Sequence, residues 1–437
     1  MKHYHSVSLD RDKCTGCTTC LKRCPTEAIR IRNGHAVITT DRCIDCGECI
    51  KLCPQKAKKA LFDSFDELSN FKYTVAIPAP ALYGQFENLD DPDYVLTGLL
   101  DIGFDDVYEV ACAAELVSEY TRQYLKQTGI PKPVISSACP VVARLISKRF
   151  PSLCDNVLPV LQPVELAAQL ARKAALEAHP ELKSEDVGIF FISPCPAKVS
   201  YAKNPFGVEK SQIDRVLSMS DIYFRLVSAM DKIDVPKSLS KTGLIGISWA
   251  NSGGEATALF NDKYLAADGI ENVITVLDAL ENEKIHDIEF IELNACNGGC
   301  VGGALTIENP YIAKARLKSL RRYLPVSQNH LFDEESPLDI DHDFRWETEL
   351  EYSPVSMLSS NMGEAMKKMR ESQTIYDSLP HLDCGSCGAP NCQAFADDIV
   401  AGNATIDDCI IRMRETIHEA MEILRNSHKT NESEEAK

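Results

Sequence analysis

Cysteines in a repeated rhythm are the residues of this chain best suited to chemistry. Cys14, Cys17, Cys20 and Cys24, followed by Pro25, recur 29 residues later as Cys43, Cys46, Cys49 and Cys53, followed by Pro54. The spacing C-x2-C-x2-C-x3-C-P places three thiolates on one iron–sulfur cube, and a distant fourth cysteine closes it. In two-cluster modules the fourth cysteine of each run ligates the other cube. One [4Fe–4S] cluster is therefore assigned to Cys14, Cys17, Cys20 and Cys53, and its partner to Cys43, Cys46, Cys49 and Cys24. Such clusters carry electrons.

Two further sets of cysteines follow. Cys384, Cys387, Cys392 and Cys409 have the spacing C-x2-C-x4-C-x16-C, with Gly385 and Gly388 allowing tight turns. This suits a third [4Fe–4S] cluster, with a structural zinc as the rival. In the middle of the chain, Cys139 ends the run VISSAC, Cys195 ends GIFFISPC, and Cys296 and Cys300 follow the run FIELNAC in the loop NACNGGC. Each run reads as a buried strand, and parallel sheets bind ligands beyond the carboxyl ends of their strands. Convergence of four thiols from distant segments is what a buried cluster requires. The remaining cysteines, Cys112 and Cys154, read as core thiols.

The elements that must position these groups fall into three blocks and a tail. Residues 6–60 form a ferredoxin-like repeat, with short strands Ile29–Ile31 and Ala36–Ile38 around a turn at Asn33-Gly34. Phe62 to Asn70 reads as a linker. Residues 71–345 alternate apolar runs with helical patterns, the signature of parallel α/β layers. The expected strands are Tyr73–Ile77, Val107–Val110, Val134–Ser136, Val187–Ser193, Leu244–Ser248 and Ile288–Leu293. The expected helices include Ala113–Lys126, Val141–Phe150, Val164–Ala178 and Glu255–Asn261. Arg321–Pro354 is charged and weakly patterned, a surface connector. Residues 355–426 form a small, mainly helical cluster domain with helices at Met362–Ser372, Gln393–Val400 and Ile410–Asn426, and 427–437 is expected to be disordered. The fold class is α/β, with two parallel-sheet lobes, an α+β bacterial-type ferredoxin module and the cluster domain.

Composition narrows the function classes. The chain has 437 residues, 44% of them hydrophobic, and a formal charge of −18. That charge argues against nucleic acid, whose phosphates need clustered cations. No run approaches the ~20 apolar residues that span a bilayer, and the first residues lack an apolar signal core. Cysteine richness without an export signal points to metal ligation in a reducing cytoplasm.

SSACP at 136–140, SPCPAK at 193–198 and ELNACNGGCVGG at 292–303 resemble the three signature segments of [FeFe]-hydrogenases, in order. CGSCGAPNCQAFADDIVAG resembles the extra cluster domain of sensory members of that family. The resemblance implies an H-cluster, a [4Fe–4S] cube joined through a thiolate to a diiron unit with CO, CN and azadithiolate ligands. Cys139, Cys195, Cys296 and Cys300 would hold the cube, and Cys300 would bridge to the diiron unit. Lys198 would hydrogen-bond a cyanide. Pro194 and the segment Ala79, Pro80, Ala81 would line the pocket, with Ser248 and Trp249 flanking it. The implied reaction is H2 ⇌ 2H⁺ + 2e⁻, with diiron-cofactor maturases and a redox carrier or signalling protein as partners.

The chain also departs from the family pattern. The usual TSCCP has a proton-relaying cysteine where Ala138 stands here. Tyr120 and Thr121 lie where a relay glutamate is expected, and Leu158 where a serine is. Two pocket methionines are replaced by Ser193 and Asn294, which makes the surroundings of the cofactor more polar. Glu115, Glu119, Glu255 and Glu292 are candidates for another proton route, with Glu255 and Glu292 preferred and Cys112 a weaker one. These features imply a slow, sensory hydrogenase. Two alternatives are a non-catalytic iron–sulfur protein on the same scaffold and a subunit of an electron-bifurcating complex. No nucleotide motif favours the latter. The terminal helix allows a homodimer.

Overall fold

The computed structural model describes residues 4–331, 344–355, 359 and 361–435, with side chains to Arg425. The chain forms two compact units. The first comprises Met1–Ser8, Ile44–Lys51 and Lys58–Pro354; the second comprises Leu9–Cys43, Leu52–Ala57 and Val355–Lys437. The expected 6–60 module is thus divided between the units, and most of it belongs with the C-terminal segment. The strands are, along the chain, β1 (Val7–Leu9), β2 (Ile29–Arg32), β3 (His35–Ile38), β4 (Lys58–Ala60), β5 (Tyr73–Pro78), β6 (Asp106–Val107), β7 (Val134–Ile135), β8 (Val187–Ser193), β9 (Arg215–Ser218), β10 (Tyr264–Asp268) and β11 (Phe290–Asn294).

The first unit has two lobes, each built on a parallel sheet. One sheet has the order β6-β5-β8-β9, with Ile77 opposite Phe191; the other has the order β10-β11-β7, with Phe290 opposite Val134. All seven residues of β8 are buried, as a central parallel strand covered on both faces must be. Full burial of side chains such as Phe190 and Phe191 stabilises the lobe by about 2–3 kcal/mol each. The second lobe packs Ile135, Leu145, Ile146, Val273, Leu277 and Ile291 around its own sheet. Of the helices flanking the sheets, Pro140–Arg149, Pro163–Ala178 and Pro196–Lys203 all begin with proline. Proline at the first helical position gives up an N–H that would have had no partner there.

Three expectations change. Leu244–Ser248, read as a strand, is a helix capped by Gly243, whose N–H donates to Glu115 Oε1 at 2.6 Å. A five-residue apolar run has too short a pattern to separate the two. The expected helix Glu255–Asn261 reduces to Gly254–Thr257, because Phe260 turns to φ 53°. The expected strand Val107–Val110 stops at Val107, and a helix runs from Val110 to Tyr124.

In the second unit, β2 and β3 form the antiparallel hairpin expected around Asn33-Gly34. Helices Met362–Asp377, Cys392–Val400 and Ile410–Glu435 follow, so the segment expected to be disordered is helical as far as Glu435. Ala436 and Lys437 lie outside the described residues, as does the stretch Phe332–Asp343 of the expected connector. No described helix is long and apolar enough to cross a membrane.

Candidate active site and cluster-binding sites

Strand ends build the principal site. β7 runs out into Cys139, β8 into Cys195 and β11 into Cys296, while β5 delivers Ala79 and Pro80. Cys139 and Cys195 share one local device. Each stays extended (φ −91° and −135°) because the following proline disfavours the helical region, and the proline then starts a helix. The thiols therefore leave the chain at the carboxyl edge of the sheet.

A cavity of about 100 Å³ is lined by Cys139, Cys195, Cys296 and Cys300, together with Ala79, Pro80, Ala138, Pro194, Lys198, Trp249, Glu255, Glu292 and Asn294. Burial raises Cys195 to about 12, and the neighbouring Cys296 and Cys139 add to the shift. Cys300 is raised as well, by burial and by all three other thiols. Sulfurs this close repel as thiolates, so the set calls for a cationic metal core, which reverses that penalty. Cys300 keeps exposed surface and lines this cavity. The donor set fits a [4Fe–4S] cube. The adjoining Lys198 ammonium and largely apolar walls fit an anionic ligand beside it.

Lys198 donates to Ala138 O at 3.2 Å and to Gln162 Oε1. Gly303 lets the cysteine loop close over the site: a Cβ there would lie 2.1 Å from Pro194 O. The loop glycines thus serve contact between protein segments as well as room for a ligand. Lys51, from the short helix Glu48–Lys51, bonds Cys296 and offsets part of the burial of that thiol.

Beside the cavity lies a buried carboxylate pair. Ser136 Oγ donates to Glu255 Oε2 at 2.5 Å and accepts from Ala138 N at 3.2 Å. Burial and the charge of Glu292 hold Glu255 well above the usual carboxylate range. Glu292 is also raised by burial, but four donors oppose that shift: Ala256 N at 2.8 Å, Gly253 N at 2.9 Å, Asn294 Nδ2 at 2.7 Å and the backbone N–H of Glu255. A proton shared by the pair therefore rests on Glu255.

Other expected residues lie elsewhere. Ala81 is buried away from the cavity lining. Ser193 Oγ accepts from Cys195 N at 3.1 Å and so fixes the cysteine loop. Ser248 donates to Leu244 O and accepts from Arg321. Glu115 accepts from the backbone N–H groups of Gln328 and Asn329, and Glu119 from that of Leu331. Cys112 is buried beside Glu109, and Cys154 is half-buried. Tyr120 stacks on Phe344, Thr121 donates to its own helix, and Leu158 is core. Sequence reasoning missed Ser136, Gln162 and Lys51. Only Ser136, a small polar residue three positions before the first signature cysteine, carried a signal.

Among known families, the iron-only hydrogenase large subunit, C-terminal domain, matches residues 72–237 and 248–304. This chain belongs to that family. A 4Fe-4S dicluster domain matches residues 6–54, and an Fe-S cluster segment matches 379–411. Iron hydrogenase 1 of Clostridium pasteurianum is 24% identical over 401 residues, covering 74% of this chain and 69% of its own. The corrinoid/iron-sulfur protein large subunit of Moorella thermoacetica is 49% identical over 35 residues, 8% of each chain. A variant of [FeFe]-hydrogenase HydA1 from Chlamydomonas reinhardtii superposes with a TM-score of 0.51 at 16% identity, covering 67% of this chain and 97% of that one. The hydrogenase fold is therefore shared even where sequence has diverged widely.

This hydrogenase-family chain has iron–sulfur sites in its second unit too. Cys384, Cys387, Cys392 and Cys409 line one small enclosed cavity, and Asp383 Oδ1 accepts from Cys392 N at 2.6 Å. Ala36 N donates to Cys14 Sγ at 3.4 Å, and Ala57 N to Cys53 Sγ at 3.2 Å. Amide donors of this kind stabilise cluster thiolates. Cys24 and Cys43 lie in the second unit, and Cys46 and Cys49 in the first.

Proposed function

We propose that this chain is a slow [FeFe]-hydrogenase that reports on H2, with an H-cluster at Cys139, Cys195, Cys296 and Cys300 and three further [4Fe–4S] clusters. The single observation that carries the reading is the cavity in which four thiols meet Lys198 while Ala138 stands at the proton-relay position. When bound, the diiron unit supplies heterolytic cleavage of H2 into two protons and two electrons. The protein does the rest. Lys198, steadied by Gln162 and Ala138, would hold the group's anionic ligands, while Ala79, Pro80, Pro194 and Trp249 would keep water out. Burial and the charge of Glu292 raise the Glu255 carboxyl so that it keeps its proton above the usual carboxylate range, and Ser136 connects that carboxyl to the backbone at Ala138. This pair replaces the missing thiol as the route for protons. A carrier or signalling partner then takes the electrons.

Infrared spectroscopy of protein matured with the diiron cofactor tests the proposal. Bands of CO and CN that shift on changing argon for H2 are the expected result. Loaded protein whose bands ignore H2 sinks the sensing role. Failure to acquire such bands favours the non-catalytic iron–sulfur alternative, to which Ala138 gives room.

A further inference from the structure

We propose that the C-terminal cluster exchanges electrons directly with the cluster of Cys14, Cys17, Cys20 and Cys53, using the β2–β3 hairpin as the bridge. The proposal rests on the reading that both sets of four cysteines hold [4Fe–4S] clusters. In a hairpin closed by two residues, Arg32 and His35 bond each other, and the next pair turns its N–H groups outward. That next pair is Ile31 and Ala36. Ala36 N donates to Cys14 Sγ at 3.4 Å, and on the opposite edge Ile31 N donates to Gly388 O at 2.9 Å. Gly388 follows Cys387, whose own carbonyl accepts from Arg32 Nη1 at 3.4 Å. One hairpin, about 4.8 Å between its strands, thus joins the two ligand loops through covalent and hydrogen bonds alone.

The contact is built to be permanent. Arg30 and Arg32 both grip Asp398, at 2.6 and 2.7 Å, and Asp398 is only 7% exposed. Asn391 Nδ2 donates to Glu27 Oε1 at 2.7 Å. Lys22, two residues after Cys20, donates to the carbonyls of Asp383 and Pro390 on either side of the Cys384–Cys387 loop. Gly388 sits at φ +80°, and a Cβ there would lie 2.2 Å from Ile31 O. A domain that merely trailed from the chain would have no need to bury a bidentate ion pair. In the transfer, one electron leaves a reduced cluster, which is oxidised as its neighbour is reduced, and no proton moves. H2 oxidation supplies that electron in the proposed function, and dithionite supplies it in the test.

Electron paramagnetic resonance of the full chain, reconstituted with iron and sulfide and reduced with dithionite, tests the proposal. Replacement Cys387→Ser should lower the iron content by one cluster and remove part of the splitting from the signal of the Cys14 cluster. Asp398→Asn should keep the iron but weaken the same splitting. A wild-type spectrum equal to that of Cys387→Ser plus an isolated cluster signal would overturn the proposal. So would a C-terminal cluster that dithionite leaves oxidised. Iron content unaffected by Cys387→Ser would instead refute the cluster reading beneath it.

Discussion

In the proposed function, Ser136, two positions before Ala138, and Glu255 answer for the missing thiol. Ala138 has no proton to pass on, yet its N–H bonds Ser136 Oγ, and that hydroxyl bonds Glu255. At the other relay positions that the family resemblance implies, Leu158 is core and Tyr120 stacks on Phe344. Ala138→Cys should therefore leave turnover of the matured enzyme within about threefold, whereas Glu255→Gln should lower it by about 10²-fold or more. Hydrogen–deuterium exchange in the gas phase measures both. The pH dependence of stability follows from the same carboxyl. Its folded value lies above the ordinary 4.5, so the folded state keeps a proton that the unfolded chain releases. That contribution is complete below about pH 4.5 and fades as pH rises toward the folded value. Glu255→Gln should remove a slope of up to about 1.4 kcal/mol per pH unit from denaturant unfolding above that point. A slope unchanged in the variant would mean that Glu255 is ionised in the folded protein.

At the scale of elements, the Arg30–Asp398–Arg32 cluster supports a prediction of its own. Asp398→Ala leaves two guanidinium groups facing each other with their shared partner gone, Arg30 being only 8% exposed. The cost should be about 3–5 kcal/mol to the second unit, read as an earlier loss of visible cluster absorbance in denaturant. Nothing in the local pattern of β2 announced that contact, because Asp398 is 366 positions from Arg32. What the sequence did make legible were features written within a few residues. The hairpin at Asn33-Gly34, the long helices after Pro140 and Pro163, and the seven-residue run of β8 needed only turn chemistry and periodicity. The cysteine sets were legible because metal ligation fixes spacing. β9 and β10 were missed because each is short, and β10 has no fully buried residue to mark it. Gln162 was missed for the same reason: its part is set by Lys198, brought to it across the fold.

Across the whole molecule, apolar burial is unevenly shared, and metal should matter most where burial is least. The first unit packs two large cores around its sheets. In the second, the cluster domain buries little beyond Leu379, Ala389, Phe395, Ala396 and Cys409, and Cys409 is itself a proposed ligand. Met362, Met366 and Met369 on one helix and Ile417, Met421 and Leu424 on another remain exposed. A segment so poor in core relies on its ligands, since cluster binding is then folding free energy. Anaerobic removal of iron with a chelator should therefore loosen residues 379–411 first, opening them to limited proteolysis while β5 and β8 stay protected. The two parallel sheets should keep their amide protection in hydrogen exchange, because their stability comes from side chains such as Phe190, Phe191 and Phe290. Restoring iron and sulfide should restore protection of the C-terminal segment. Equal loosening of both units on iron removal would show instead that the four thiols of the first unit also hold its sheets together through their metal.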